Sequence, residues 1–297
     1  MILLEPFGYG YMTNAIWVSA LVGGVCAFLS AYLMLKGWSL IGDALAHSVV
    51  PGVAGAYMLG LPFALGAFLS GGLAALAMVA LRQRSGLKED VVIGLIFTGF
   101  FGLGLFMVSV NPMAVSIQTI TMGNILAITP GDTVQLVLIA AVSLAVLVAK
   151  WRDFLAVFFD EGHARSIGLN VTALRLVFFT LLSACTVAAM QTVGAFLVIA
   201  LVVTPGATAC LLTDRFARLL LLSVGIGAGT AALGAYASYF LDGATGGIIV
   251  CLQTGLFLAA LILAPRHGVL AARRRARRAP HPTPNHTLPP MARKDGA

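Results

Sequence analysis

Asp43 and His47 stand four residues apart in the stretch Gly42-Asp43-Ala44-Leu45-Ala46-His47-Ser48-Val49-Val50-Pro51-Gly52, within a chain that is otherwise lipid-like. On a helix, that spacing puts both side chains on one face, a single turn apart. A carboxylate beside an imidazole suits a divalent first-row cation such as Mn²⁺, Fe²⁺ or Zn²⁺. The same pair can relay a proton. No cysteine or methionine lies nearby except Met58, which disfavours the soft ion Cu⁺. Pro51 follows one turn later; proline frees a carbonyl and bends a helix, so the backbone is expected to open there. The ordinary reading is an Asp43 that caps a helix start after Gly42, with His47 packed at an interface. As a metal site, two ligands are too few for tight selective binding. A like pair from a second subunit, across a two-fold or pseudo-two-fold interface, would bring the protein ligands to four.

The elements that must hold this pair follow from composition. Of 297 residues, 60% are hydrophobic and 10% charged, against about 25% charged in soluble domains. The mean hydropathy is +0.99. The chain reads as an all-α, polytopic membrane protein, with one membrane domain over residues 1–270. Its 33 glycines suit close helix packing in lipid. Cys26, Cys185, Cys210 and Cys251 lie in apolar stretches without CxxC spacing and read as buried small hydrophobes. The N-terminal stretch carries Glu5 and no Lys or Arg before Lys36, so no cleavable signal peptide is expected.

About nine apolar segments come near the ~20 residues that span a bilayer. They fall at about 13–35, 39–59, 61–81, 91–110, 132–149, 173–191, 194–212, 217–240 and 245–264. The joints Gly60-Leu61-Pro62 and Gln191-Thr192-Val193-Gly194 are tight, leaving a range of eight to ten spans. Basic residues follow every second exit: Lys36; then Arg82, Arg84 and Lys88; then Lys150, Arg152 and Arg165; then Arg215 and Arg218; then Arg266 and the run from Arg273 to Arg278. The alternate exits, near 60, 110–131, 192 and 241–244, carry no Lys or Arg. Because basic loops stay inside, this alternation gives nine spans, an external N-terminus and a cytoplasmic C-terminus.

Three pieces lie outside the spans. Residues 271–297 form a basic, Pro-rich cytoplasmic tail, expected to be disordered past about 279. It holds much of the +7 net charge and suits anionic lipid headgroups better than nucleic acid. Residues 111–131 make the longest external connection, with a short surface helix expected from Ser116 to Ile128. The cytoplasmic loop 150–172 mixes Phe154, Phe158 and Phe159 with Asp153, Asp160, Glu161, His163 and Arg165. It predicts a short amphipathic helix that breaks at Gly168. Such a loop is either a docking surface for a soluble partner or an ordinary interfacial helix.

A census of acids and histidines isolates the pair. Every other Asp or Glu falls at an interface, and His163, His267, His281 and His286 fall in a loop or in and beside the tail. Asp43 and His47 remain, roughly 10 Å and 16 Å along span two from Lys36 at 1.5 Å per residue. Ionisable groups at such depth face the bundle interior and mark transport paths.

The residues resemble the membrane permease subunit of bacterial ATP-driven importers for manganese, iron and zinc. The stretch 42–52 carries the resemblance, with Ile93-Gly94-Leu95-Ile96-Phe97-Thr98-Gly99, Gly123-Asn124-Ile125-Leu126, Gln191-Thr192-Val193-Gly194-Ala195, Thr204-Pro205-Gly206-Ala207-Thr208-Ala209 and Ala264-Pro265-Arg266-His267-Gly268. It covers about residues 13–270. The resemblance implies a pair of permease subunits, identical or homologous, in a bacterial inner membrane. It also implies two cytoplasmic ATP-binding subunits beneath them and an extracytoplasmic metal-binding protein. It places the metal residues on Asp43 and His47, and the ATPase coupling segment on Asp160, Glu161, Ala164 and Gly168. Zinc-type members often carry a further histidine in the fourth span; Val92 to Ser109 has none, and the external segment has Gln118 and Thr119. That leans towards manganese or iron.

The expected mechanism is alternating access, with no permanently bound cofactor and the ion as cargo. The chain has no GxxxxGK[ST] phosphate loop, so ATP hydrolysis falls to a partner. The rival is a secondary carrier in which Asp43 and His47 relay protons. An intramembrane hydrolase is disfavoured, because neither HExxH nor GxSxG occurs.

Overall fold

The computed structural model describes residues 2–38, 40–111, 130–264 and 268. A short 3-10 helix, Ile2–Gly8, leads into twelve α-helices among the described residues: α1 (Gly10–Lys36), α2 (Ile41–Ser48), α3 (Val50–Leu59), α4 (Phe63–Arg84), α5 (Glu89–Val110), α6 (Pro130–Ala149), α7 (Trp151–Phe159), α8 (Glu161–Ser166), α9 (Val171–Val193), α10 (Ala195–Leu212), α11 (Phe216–Leu241) and α12 (Thr245–Leu263). Apolar runs this long have one economical solution in lipid, because a helix satisfies every backbone group within the segment. Among the described residues seven helices are long and apolar enough to cross a membrane: α1, α4, α5, α6, α9, α11 and α12. The shorter apolar helix α10 contains Pro205. The second expected span is present as two half-length helices, α2 and α3, separated at Val49. Pro51 sits in the first turn of α3 and supplies no N–H to the turn before it, which is the physical reason for the break.

The most buried of the seven long helices is α1. It packs chiefly against α11 and α10, which both pack on α12. A second group sets α3 on α4, α4 on α9, and both α2 and α3 on α5. Small hydroxyls tie the first group together. Ser223 Oγ donates to the Ala27 carbonyl at 2.6 Å. Ser30 Oγ donates to the Val203 carbonyl at 3.1 Å and accepts from the Gly206 N–H at 3.0 Å. That bridge meets α10 beside Pro205, where the helical ladder lacks a donor.

Tyr32, fully buried in α1, gathers an aromatic knot. Its ring meets those of Phe154, Phe158, Phe178 and Phe216 at 4.9–6.1 Å between centroids. Its hydroxyl donates to the Trp151 carbonyl at 2.9 Å. The knot draws α7 into the bundle.

Three expectations change here. The 150–172 loop forms two helices rather than one, because Asp160 ends α7 and begins α8. Phe154, Val157 and Phe158 are buried, so this side of α7 packs inward instead of lying at an interface. Among the cysteines, Cys26 and Cys185 are buried, whereas Cys210 is half-buried and Cys251 exposed. The expected surface helix within 116–128 and the basic tail lie outside the described residues.

Candidate metal site and coupling helix

The pair at 43 and 47 forms as its spacing requires. His47 Nε2 lies 3.5 Å from Asp43 Oδ1 across one turn of α2. Asp43 does not cap the helix. The cap position is Leu40, and Asp43 sits within the first turn, where the positive end of the helix favours its charge. The side chains of Asp43 and His47 keep 39% and 27% of their accessibility, so the pair opens onto a surface of this chain rather than a closed cavity. Among the described residues no cluster of three or more His, Cys, Asp or Glu side chains stands ready to hold a metal ion.

Three contacts fix α2. Gly42 abuts Val202 of α10, where a Cβ would stand 2.8 Å from the valine Cγ1. Gly104 lets α5 cross the break itself, since a Cβ there would meet the Pro51 nitrogen at 2.9 Å. Ser70 of α4 donates to the Ser48 carbonyl at 2.6 Å, and Ser48 Oγ donates back to the Ala44 carbonyl at 2.6 Å. The close approach of α5 sets two parallel phenyl rings, Phe97 and Phe101, each 5.4 Å from the His47 ring. The imidazole therefore has an apolar wall on one side and the carboxylate on the other. Motif reading missed the wall, because aromatic residues in an apolar span carry no signal until the helix is placed.

The second set of expected residues lies on α8. Asp160 is its N-cap: Oδ1 accepts from Gly162 N at 2.8 Å and His163 N at 3.1 Å. The N–H groups of His163 and Gly162 hold its carboxyl below the ordinary carboxylate range. Ala164 is fully buried. Gly168 adopts φ +84°, open to glycine at little cost. Its N–H meets the Arg165 carbonyl at 3.0 Å and the Leu169 N–H meets the Ala164 carbonyl at 3.0 Å, the double closure of a Schellman motif.

Glu161 points elsewhere. Its Oε1 pairs with Arg175 of α9, with Lys36 Nζ of α1 at 3.3 Å and with Arg82 Nη2 of α4 at 3.9 Å. One carboxylate thus draws together the ends of three long helices. Arg175, buried in α9, was absent from the loop-charge reading. Its signal was available, as an arginine two residues inside an expected span. Beside this cluster, Trp38 is buried, with the Arg82 guanidinium 5.3 Å from its ring centroid and Phe158 and Phe179 at 5.5 and 5.6 Å.

Comparison with known proteins gives a consistent picture. Residues 8–264 match the ABC 3 transport family. The chelated iron transport system membrane protein YfeC of Yersinia pestis is 64% identical over 276 residues, covering 93% of this chain and 94% of the relative. The manganese transport system membrane protein MntB of Synechocystis sp. is 46% identical over 280 residues, covering 94% and 92%. Among solved structures, PsaBC from Streptococcus pneumoniae in complex with Fab superposes with a TM-score of 0.80 at 32% identity, covering 92% of this chain and 100% of that one.

Proposed function

Since the chain belongs to the ABC 3 transport family, we propose that it is the permease subunit of an ATP-driven importer carrying Mn²⁺ or Fe²⁺, with Zn²⁺ a weaker substrate, across a bacterial inner membrane. The observation that carries this reading is the Asp43–His47 pair on a half-length helix inside an apolar bundle. Relatives named for iron and for manganese transport support the choice of ions.

In this reading the chain crosses the membrane nine times: seven long helices, α10, and the broken pair α2–α3. The N-terminus lies outside, and the exits bearing Lys36, Arg82, Lys150 and Arg215 lie in the cytoplasm. A second permease subunit abuts the open side of the pair and adds its own carboxylate and imidazole, giving a four-ligand oxygen and nitrogen site suited to these ions. An extracytoplasmic binding protein delivers the ion. The cytoplasmic ATP-binding subunits dock at α8, through the exposed surface around Asp160 and Gly168, while the buried Ala164 seats the helix against the bundle. Nucleotide binding and release then alternate the access of the pair between the two sides. The chain's part in the chemistry is to offer a hard carboxylate and a borderline imidazole along an otherwise apolar route, and to release the ion when the two pairs separate.

The test is Mn²⁺ uptake by vesicles holding the permease with its ATP-binding subunit and binding protein. Uptake should require hydrolysable ATP and survive a protonophore. Uptake that persists without the ATP-binding subunit and stops with the protonophore would instead establish a proton-coupled carrier.

A further inference from the structure

Along α4, Leu69, Leu73, Leu76, Ala80 and Arg84 recur at steps of four, three, four and four, so they share one face of the helix. All five are exposed. The first three, with Phe68, form one wall of a cleft of about 340 Å³; Leu176 and Thr180 of α9 form the other. Gly72 sits in the α4 wall, where a Cβ would meet no atom within 4 Å, so the missing side chain leaves the cleft deep. Thr180 Oγ1 turns back to donate to the Leu176 carbonyl at 2.8 Å, which keeps its wall apolar. Towards the end of α4 the cleft meets a smaller hollow of about 30 Å³, and Val79 and Phe179 line both. Arg82 and Arg175 line the smaller one. Arg84 closes the exposed stripe, and the exposed Lys88 follows in the turn to α5. The acids at this end are Glu161, whose carboxylate engages Arg175, Lys36 and Arg82, and Glu89 and Asp90 at the start of α5.

We infer that the cleft between α4 and α9 is a binding site for one anionic phospholipid. An acyl chain lies along the wall from Leu69 to Leu76, and the phosphate meets Arg82 and Arg84. A guanidinium suits this role, because its planar fork of N–H donors matches two phosphate oxygens at once. Arg84 stands at the end of an apolar stripe, where an arginine can lay its stem along hydrocarbon and hold its charge at headgroup level. The apolar wall is what selects a lipid over a free phosphate, which would engage only the basic end. The basic end is what selects an anionic lipid over a zwitterionic one, since basic residues at the membrane boundary attract the negative cytoplasmic leaflet. Placement in that leaflet rests on the importer reading, which puts the exit bearing Arg82 in the cytoplasm. The binding itself concerns this chain alone.

The experiment uses the purified full-length protein in detergent, with phosphatidylglycerol and phosphatidylcholine as probes. Native mass spectrometry reads the lipid retained, and thermal unfolding reads the stabilisation that a bound lipid confers. The parent protein should retain phosphatidylglycerol in preference to phosphatidylcholine and melt higher in its presence. Arg84→Gln should lower phosphatidylglycerol retention about fivefold, the weight of one basic residue beside an anionic surface. Gly72→Leu should fill the cleft and remove both the retained lipid and the rise in melting temperature. Gly225→Leu, at a glycine of α11 that also faces open space, should leave both unchanged. Equal retention of the two lipids by the parent overturns the inference, as does parental retention in Gly72→Leu or in Arg84→Gln. Displacement of the lipid by inorganic phosphate alone also overturns it, by assigning the basic end to a free anion. Dissociation of a permease dimer in Gly72→Leu, with lipid retention unaltered, overturns it in favour of a second copy seated in the cleft. Should Gly72→Leu fail to insert, Leu176→Trp narrows the same cleft from α9 and is read in the same way. Lipid retention is read without transport, so absence of ATP-driven uptake in the parent protein would count against the importer reading alone.

Discussion

Gly104 on α5 lies against the nitrogen of Pro51, with room for no side chain between them. The proline opens span two at Val49, and the glycine admits the neighbouring helix to that opening. Phe97 and Phe101 reach the His47 ring only because of this approach. Adding one methyl as Gly104→Ala should push α5 outward at a cost of about 1–3 kcal/mol. The expected result is a lower melting temperature together with weakened Mn²⁺ uptake. Heat-induced loss of the detergent-solubilised protein and vesicle uptake check it, and wild-type values in both would show that α5 does not position the imidazole.

Asp43→Asn and His47→Gln each keep the side-chain size and remove the carboxylate charge or the imidazole. Both variants should insert and bind the ATP-binding subunit normally, with Mn²⁺ uptake reduced at least about tenfold, as for loss of one ligand or its orientation. Normal uptake in both would remove the pair from the transport path.

Gly168 holds a positive φ at the close of α8. Alanine there should cost about 1–2 kcal/mol for the left-handed conformation and loosen the end of the docking helix. Amide exchange of residues 161–166 should accelerate, with a parallel loss of subunit affinity. Unaltered exchange would show that the closure is not needed.

Asp160 gives a pH dependence of defined sign. Its folded pKa lies below the ordinary carboxylate value, because the His163 and Gly162 N–H groups favour the ionised form. The cap's contribution is therefore complete above the unfolded carboxylate pKa. It is lost as pH falls through the lowered folded value. Acid titration followed by amide exchange at His163 should show protection lost in that acidic window, and Asp160→Ala should show no such step.

Tyr32 donates to the Trp151 carbonyl inside the aromatic knot. Tyr32→Phe should keep the ring packing and lose about 1 kcal/mol, read as a modest drop in thermal stability with uptake unchanged.

The contact between Asp43 and His47 was legible because ionisable residues are rare in an apolar chain, so their spacing stood out. The break in span two was legible from Pro51, although its sharpness depends on Gly104 and Ser70, which reach it from other helices. The long spans were legible from apolar length alone. The role of Glu161 was not. It sits where an exposed acid would, and only the placement of α1, α4 and α9 shows it facing Lys36, Arg82 and Arg175. The division of the 150–172 loop had a readable sign in Asp160, a capping residue followed by a short polar turn. Trp38 gave no sign, since its three neighbours come from residues 82, 158 and 179.

The position of α1 bears on how the protein is made. Its closest neighbours, α10 and α11, begin at Ala195 and Phe216, so α1 must wait for helices made long after it. The Ser223–Ala27 hydrogen bond closes a gap of 196 residues. Until that bond forms, Gly23, Gly24 and Ser30 present small and polar surface to lipid or to a chaperone. A nascent chain stopped before Phe216 should accordingly be recognised as unfinished by membrane quality control, even though six of the eight other spans proposed above are already in place up to Leu212.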